Sequence, residues 1–241
     1  MTFFYGLEYL KESLLSIRDH VDHVVIAITR NPSHGHGTTA TNPDSIEEAM
    51  SIALSVLGGD KVHFDVADGY HNESQHRAVR YKYSEGFDLI LTIDPDEVFE
   101  EKELPTALEY ANLMPERYFG IKGYVNFWRS FDFACYDGFR PIRIENLKNQ
   151  NDLQNINCPL TVYHFSTCQS EAIMRYKFNV FGHASEIKHN WLDEIHYAWT
   201  PENNIQDLHC VSYNLWNAAP FNKIVLPEYL KLHPNYNKRL V

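Results

Sequence analysis

The chain has little cysteine, no long apolar run and no excess of positive charge, and each shortage excludes a class of protein. Its four cysteines, Cys135, Cys158, Cys168 and Cys210, lie far apart with no CxxC pair. Neither a zinc cage nor a disulfide framework is indicated, and a reducing cytoplasm is the expected compartment. No apolar run approaches the ~20 residues that span a bilayer, so no membrane insertion is expected. The opening, MTFFYGLEYLKES, carries neither the basic region nor the apolar stretch of a secretion signal. With 21 Lys+Arg against 32 Asp+Glu, the formal net charge is −11. That disfavours general affinity for nucleic acid or acidic membranes and leaves room only for a local basic groove. GxGxxG, GxxxxGKS/T and GxSxG are also absent, which removes support for dinucleotide-binding, P-loop and serine-hydrolase readings.

What is present is an ordinary globular composition over 241 residues, 44% hydrophobic and 22% charged, with 14% aromatics and 13 histidines. Such aromatic and histidine content suits a pocket for a polar ligand. Short strands and amphipathic helices alternate through the first hundred residues. MTFFYG opens as a strand ending at Gly6, and Leu7, Leu10, Leu14 and Ile17 then step along one helix face. VDHVVIAIT (21–29) is a β-branched run and predicts a buried strand. Asp44 with Glu47 resembles a capping box for a helix carrying Ile46, Ala49, Met50, Ala53, Leu54 and Leu57, which Gly58-Gly59 ends. KVHFDVA (61–67) has the strand period, Asn72 with Gln75 caps the next helix, and FDLILTI (87–93) is another buried strand. This βαβαβαβ order predicts an α/β fold with a mostly parallel central sheet, with ligands beyond the carboxyl ends of its strands.

From about residue 103 the pattern changes. A helix through Leu104, Ala107, Leu108 and Ala111 precedes strands at YFGIKGYVNF (118–127), FRPIRI (139–144) and LTVYHF (160–165). Ser170 caps a helix through Phe181, and the polar stretch 146–157 reads as a mobile loop and candidate lid. NPSHGHGTTATNP (31–43) is a loop whose His34 and His36 lack the further ligands of a metal clip. One domain over 1–241 is expected, with residues 1–100 and 101–241 as its two halves.

The motif with chemistry is Asp94-Pro95-Asp96-Glu97, directly after a buried strand and where the sheet topology puts a ligand. Pro95 restricts Asp94 to an extended conformation, so Asp94 and Asp96 are expected on one side. Two aligned carboxylates are oxygen ligands for Mg²⁺ or Mn²⁺, and such a cation holds a diphosphate. The plainer alternative is a solvated strand end. Trp128-Arg129, after the strand YVNF, reads either as a stacking and charge platform for an acceptor or as a packed hairpin tip.

FDLILTIDPDEVF, with the element order before it, resembles the nucleotide-sugar half of family-2-like glycosyltransferases of the GT-A fold. FFYGLEYLKESLLSIRDHVDHVVIAI resembles that family's opening, and NESQHRAVRYKYSEGFDLILTIDPDE its helix-strand-acidic segment. YHFSTCQSEAIMRYKFNVFGHASE resembles a His-Phe-Ser segment of small glycosyltransferases, some from tailed phages. The resemblance implies a Rossmann-like three-layer sandwich with a smaller C-terminal acceptor region. It implies that Asp96 and His164 bind the cation, and that Tyr5, Gly6, Glu8, Arg77 and Asp94 bind the donor. Inverting members carry a carboxylate base, often in a Glu-Asp pair that this chain lacks, and Asp137, Glu171, Glu186 and Asp193 are the candidates. The implied activity is metal-dependent sugar transfer from a nucleotide-sugar to an acceptor hydroxyl, on a surface glycan or on hydroxymethylated pyrimidines in phage DNA. Two rivals stand beside it: a non-catalytic nucleotide-sugar or glycan-binding module, and a nucleotidyltransferase, against which the missing Gly-rich phosphate loop counts. Oligomeric state is not legible.

Overall fold

Alternating apolar segments in the first third of the chain become a small parallel sheet backed by helices. The structure is a computed structural model, and it describes residues 1–32, 42–136, 138–149, 156–180, 184–203, 205–211 and 216–238. His34, His36, Asp137, Phe181 and half of the stretch read as a lid lie outside the described residues.

Strands β1 (Thr2–Phe3), β2 (Val24–Thr29) and β3 (Val62–Ala67) form a three-stranded parallel sheet in that order. Between them run α1 (Leu7–Ile17) and α2 (Ile46–Leu57), and α3 (Glu73–Lys82) follows β3. Leu10, Leu14 and Ile17 of α1 are buried as the helical spacing predicts, and they join Ile26, Ile28 and Ala53 in an aliphatic core. Asn72 caps α3 through Gln75 N–H, as expected. The cap of α2 is Ser45, whose hydroxyl accepts from Glu48 N–H. Asp44 instead reaches across to α1, where its Oδ2 accepts from Gly6 N–H (2.8 Å) and Leu7 N–H (3.0 Å). The two N–H groups at the start of α1 are orphaned by helix geometry, and a carboxylate there satisfies both.

The remaining strands form a second sheet of different character. They are β4 (Leu89–Leu91), β5 (Glu97–Phe99), β6 (Tyr118–Trp128), β7 (Ser130–Tyr136), β8 (Ile142–Asn146), β9 (Ile156–Thr167) and β10 (Ala218–Pro220), with α4 (Leu104–Leu113) between β5 and β6. β6 is its spine. Along one edge β6 runs parallel to β9, and along the other it pairs antiparallel with β8 and then with β7. β4 pairs antiparallel with β8, β5 with β9 and β10 with β7. The expectation of a mostly parallel central sheet is therefore corrected. The FDLILTI segment joins the antiparallel sheet, and the only parallel pair in that sheet among the described residues is β6–β9. Strand β7 lies between the expected strands 118–127 and 139–144, where a hairpin-length loop and no strand was expected, and it follows β6 after a single residue. That residue, Arg129, has φ 60° and closes the hairpin in a left-handed conformation.

α5 (Glu171–Val180) packs Ile173, Met174, Tyr176, Lys177 and Val180 inward, and the short α6 (Glu228–Lys231) lies near the C-terminus. A second core of Tyr9, Phe127, Phe131 and Phe165 is aromatic, and a third gathers Trp128, Trp191, Trp199 and Trp216. Among the described residues, no helix is long and apolar enough to cross a membrane. All four cysteines are free thiols.

Candidate active site

The acidic motif is a turn rather than the end of an extended strand. Pro95 and Asp96 occupy the turn, Glu97 N–H donates to Asp94 O (3.0 Å), and the chain at once starts β5. Gly6 makes room for it. With φ 109° it passes close over Pro95, whose Cγ would lie 3.1 Å from any Cβ at that position. Ser13 of α1 ties the turn from below by donating its hydroxyl to Asp94 O (3.2 Å).

Because the backbone turns, the three acids face different partners. Asp94 is gripped by arginines: its Oδ1 accepts from Arg77 Nη1 (3.1 Å) and its Oδ2 from Arg143 Nη2 (3.3 Å). Burial works against its ionisation, but the Arg143 and Arg77 guanidiniums outweigh that and hold its carboxyl well below the usual range. Glu97 is fully buried, accepting from Tyr124 OH (2.7 Å) and from Arg143. Asp96 Oδ2 accepts from Gln169 Nε2 (3.0 Å) and lies 3.4 Å from Lys177 Nζ. Its Oδ1 faces His164 Nε2 at 3.8 Å.

The meeting of Asp96 with His164 follows from strand register. β5 and β9 are antiparallel with Glu97 opposite His164, so the residue before Glu97 arrives beside the imidazole. Tyr124 stacks on that ring at 4.9 Å, and Asn126 Oδ1 lies 2.7 Å from Nδ1. Burial pushes the His164 pKa below its ordinary value, with Asp96 opposing the shift, so the ring is neutral at pH 7. The tautomer that donates Nδ1–H to Asn126 leaves Nε2 as a bare lone pair facing a carboxylate oxygen. Two acceptors with no proton between them suit a shared cation. This pair fits a divalent ion held by one carboxylate and one imidazole, with water or phosphate oxygens completing the shell. It is not an all-protein cage: among the described residues, no group of three or more His, Cys, Asp or Glu side chains is placed to hold a metal.

These groups line one cavity of about 1020 Å³ together with Tyr5, Arg77, Ser166 and Lys177, and it extends to Trp191, His209 and Trp216. Lys177 Nζ donates to Ser166 Oγ (2.8 Å) and lies 5.7 Å from the Tyr5 ring. Three carboxylates (Asp94, Asp96, Glu97) thus meet three cations (Arg77, Arg143, Lys177), and the site as built is close to neutral.

Other expected residues fall elsewhere. Glu8 accepts from Ser170 N–H at the start of α5 (2.9 Å) and serves as a tether between α1 and α5. Trp128 is fully buried against Trp191, His196 and Trp199, so the packed reading of that hairpin holds for it. Arg129 donates to Tyr197 O and Trp199 O and pins that loop. Glu171 and Asp193 flank Arg175 at the surface, Glu186 is exposed, and none of the three lines the cavity. Arg143, Lys177, Gln169, Asn126 and Tyr124 were not anticipated. Lys177 did leave a signal, since it lies on the same helix face as Ile173, Met174 and Val180, where a charge needs a partner.

Comparison of the chain with family models finds no match, and neither does comparison with curated proteins.

Proposed function

We propose that this chain is a nucleotide-sugar-dependent glycosyltransferase, its two sheets together forming a variant of the GT-A arrangement. The observation that carries the reading is the pairing of Asp96 Oδ1 with His164 Nε2 at 3.8 Å, on a cavity that also holds Arg77 and Lys177. The neutral balance of the site adds to it. A bound diphosphate brings negative charge that the existing cations, already committed to carboxylates, do not offset, and a divalent ion supplies the difference.

In this reading Asp96 and His164 would hold Mn²⁺ or Mg²⁺, which would supply Lewis-acid charge neutralisation for a diphosphate leaving group. Gln169 and Lys177 fix Asp96 Oδ2 and leave Oδ1 free for such an ion, while Asn126 and Tyr124 orient the imidazole. Arg77 and Lys177 stand where they reach phosphate oxygens, and Asp94 holds Arg77 in place. Tyr5 lies against the same space as a face for the donor. The end of the cavity near Trp191, His209 and Trp216 is left for the acceptor, whose hydroxyl attacks the anomeric carbon.

The test is a panel of nucleotide-sugars with Mn²⁺, read by released nucleoside diphosphate. One donor is expected to be turned over, with loss on chelation and recovery on adding the ion. Saturable binding of a donor without release from any member of the panel would assign the chain to the non-catalytic module instead. A mass shift on hydroxymethylated DNA, or on a glycan acceptor, then identifies the acceptor.

A further inference from the structure

Lys177 is buried on the inward face of α5, among Ile173, Met174 and Val180, where an ammonium needs partners. It has several. Its Nζ donates to Ser166 Oγ (2.8 Å) and Ser166 O (3.2 Å), lies 3.4 Å from Asp96 Oδ2, and stands 5.7 Å from the Tyr5 ring. The Ser166 and Tyr5 contacts do not depend on Asp96. The helix packs the stem of the side chain inward, and Ser166 holds its head. The charge therefore stays beside Asp96 whatever else that carboxylate binds.

The three cations of the site are not equivalent in this respect. Arg77 and Arg143 grip Asp94, and Arg143 also serves Glu97. Lys177 meets Asp96 itself. A divalent ion arriving alone at Asp96 Oδ1 and His164 Nε2 brings two positive charges to a carboxylate whose other oxygen already faces an ammonium. No surplus of negative charge in the site offsets them. A diphosphate arriving alone meets Asp94, Asp96 and Glu97. Each is opposed by charge that the other cancels. Two protein ligands are also few for an ion that takes about six, so a bare ion keeps most of its water.

We propose that Lys177 makes this site selective for an ion–diphosphate complex over the bare ion: it weakens the hold of Asp96 on a divalent cation until a diphosphate enters with it. The inference rests on the reading of Asp96 and His164 as the ion site and adds an order of events. Ion and diphosphate enter together and, because the coupling is reciprocal, leave together as the product complex. Lys177 is thus a specificity-determining residue that acts on the ion through Asp96.

The test is equilibrium dialysis of the chain against three probes: Mn²⁺ alone, inorganic pyrophosphate alone with a chelator present, and the equimolar Mn²⁺–pyrophosphate complex. The parent is expected to retain the complex at concentrations at least about 30-fold below those needed for either component alone. Lys177→Met keeps an unbranched apolar stem and removes the charge. It should bind Mn²⁺ alone at least about tenfold more tightly than the parent, and the advantage of the complex should fall below about fivefold. Lys177→Arg, which keeps the charge, should retain the parent's preference. A purely structural role predicts the opposite for Lys177→Met, a weaker hold on every probe, and that result would overturn the proposal. So would a parent that binds Mn²⁺ alone as tightly as the complex, which leaves the ion site itself standing. Retention of Mn²⁺ by no form, with or without pyrophosphate, would remove the ion site and the proposal together.

Discussion

The three-stranded parallel sheet and the seven-stranded sheet beside it are held by different side chains. Around the first, the packing is aliphatic and local: Leu10 and Leu14 of α1 press on Ile26 and Ile28 of the strand that follows. In the second it is aromatic and long-range. Phe165 lies between Tyr9 (4.4 Å) and Phe127 (4.9 Å) in a near-parallel stack, joining a helix from the start of the chain to two strands far along it. Phe165 directly follows His164. The aromatic stack therefore fixes the strand that presents a candidate ion ligand, while the aliphatic side supplies the platform on which the acidic turn rests. Stability and site geometry are coupled in the second region more tightly than in the first.

The sharpest way to break that contrast is Phe165→Ala, which removes the centre of the stack and is expected to cost about 3–5 kcal/mol. Denaturant unfolding checks it, and Phe165→Leu, which keeps more of the volume, should recover a good part of the loss. If Phe165→Ala cost no more than a surface substitution, the aromatic stack would not be the support described here.

Asp96→Asn is next. It should lower nucleoside diphosphate release by about 10²–10³-fold, with the Tm within a few degrees of the parent. Full metal-dependent turnover in this variant would remove the proposed role of Asp96. Mn²⁺ binding followed by electron paramagnetic resonance separates loss of the ion from loss of chemistry.

The third prediction concerns pH. His196 is buried against Trp128 and Trp191, its Nε2–H donates to Thr167 O (2.9 Å), and burial lowers its pKa to about 4. The unfolded chain takes up this proton near pH 6.5 and the folded chain only near 4. The group's contribution is thus complete above 6.5 and is lost progressively as pH falls toward 4, by about 3 kcal/mol in all. The stability difference between the parent and His196→Gln should shrink over that interval, and a constant difference would contradict the assignment.

The smallest effect belongs to the parallel region. Asp44→Ala frees the two N–H groups at the start of α1 and should cost about 1 kcal/mol, read as a shift in the urea midpoint. A loss as large as that of Phe165→Ala would erase the contrast between the two regions.

Much of the parallel region was legible because its signals are local. A helix face repeats every three or four residues, and a cap lies three residues from its partner, as with Asn72 and Gln75. Even there, Asp44 misled. It looked like the cap of the helix it precedes, but it caps one 38 positions earlier, where two orphaned N–H groups meet it in space. The acidic motif was legible as chemistry but not as shape: a turn, rather than a strand end, sends Asp94 to two arginines and leaves Asp96 for His164. Arg143 lay hidden between Ile142 and Ile144, because an alternating pattern does not say whether its polar members face water or a buried acid. Trp128 and Arg129, which a linear reading leaves open between a platform and a packed hairpin tip, are packed by the fold.

The sequence by itself determined where the early helices and strands form and that carboxylates follow the FDLILTI segment, since backbone sterics and side-chain periodicity act over a few residues. Only the tertiary structure decided which acid meets which cation, that His164 arrives beside Asp96, and that the second sheet is mostly antiparallel. Those outcomes depend on strand register and on burial between distant segments, as with Asp96 and Lys177, 81 residues apart, and no pattern confined to one segment encodes them.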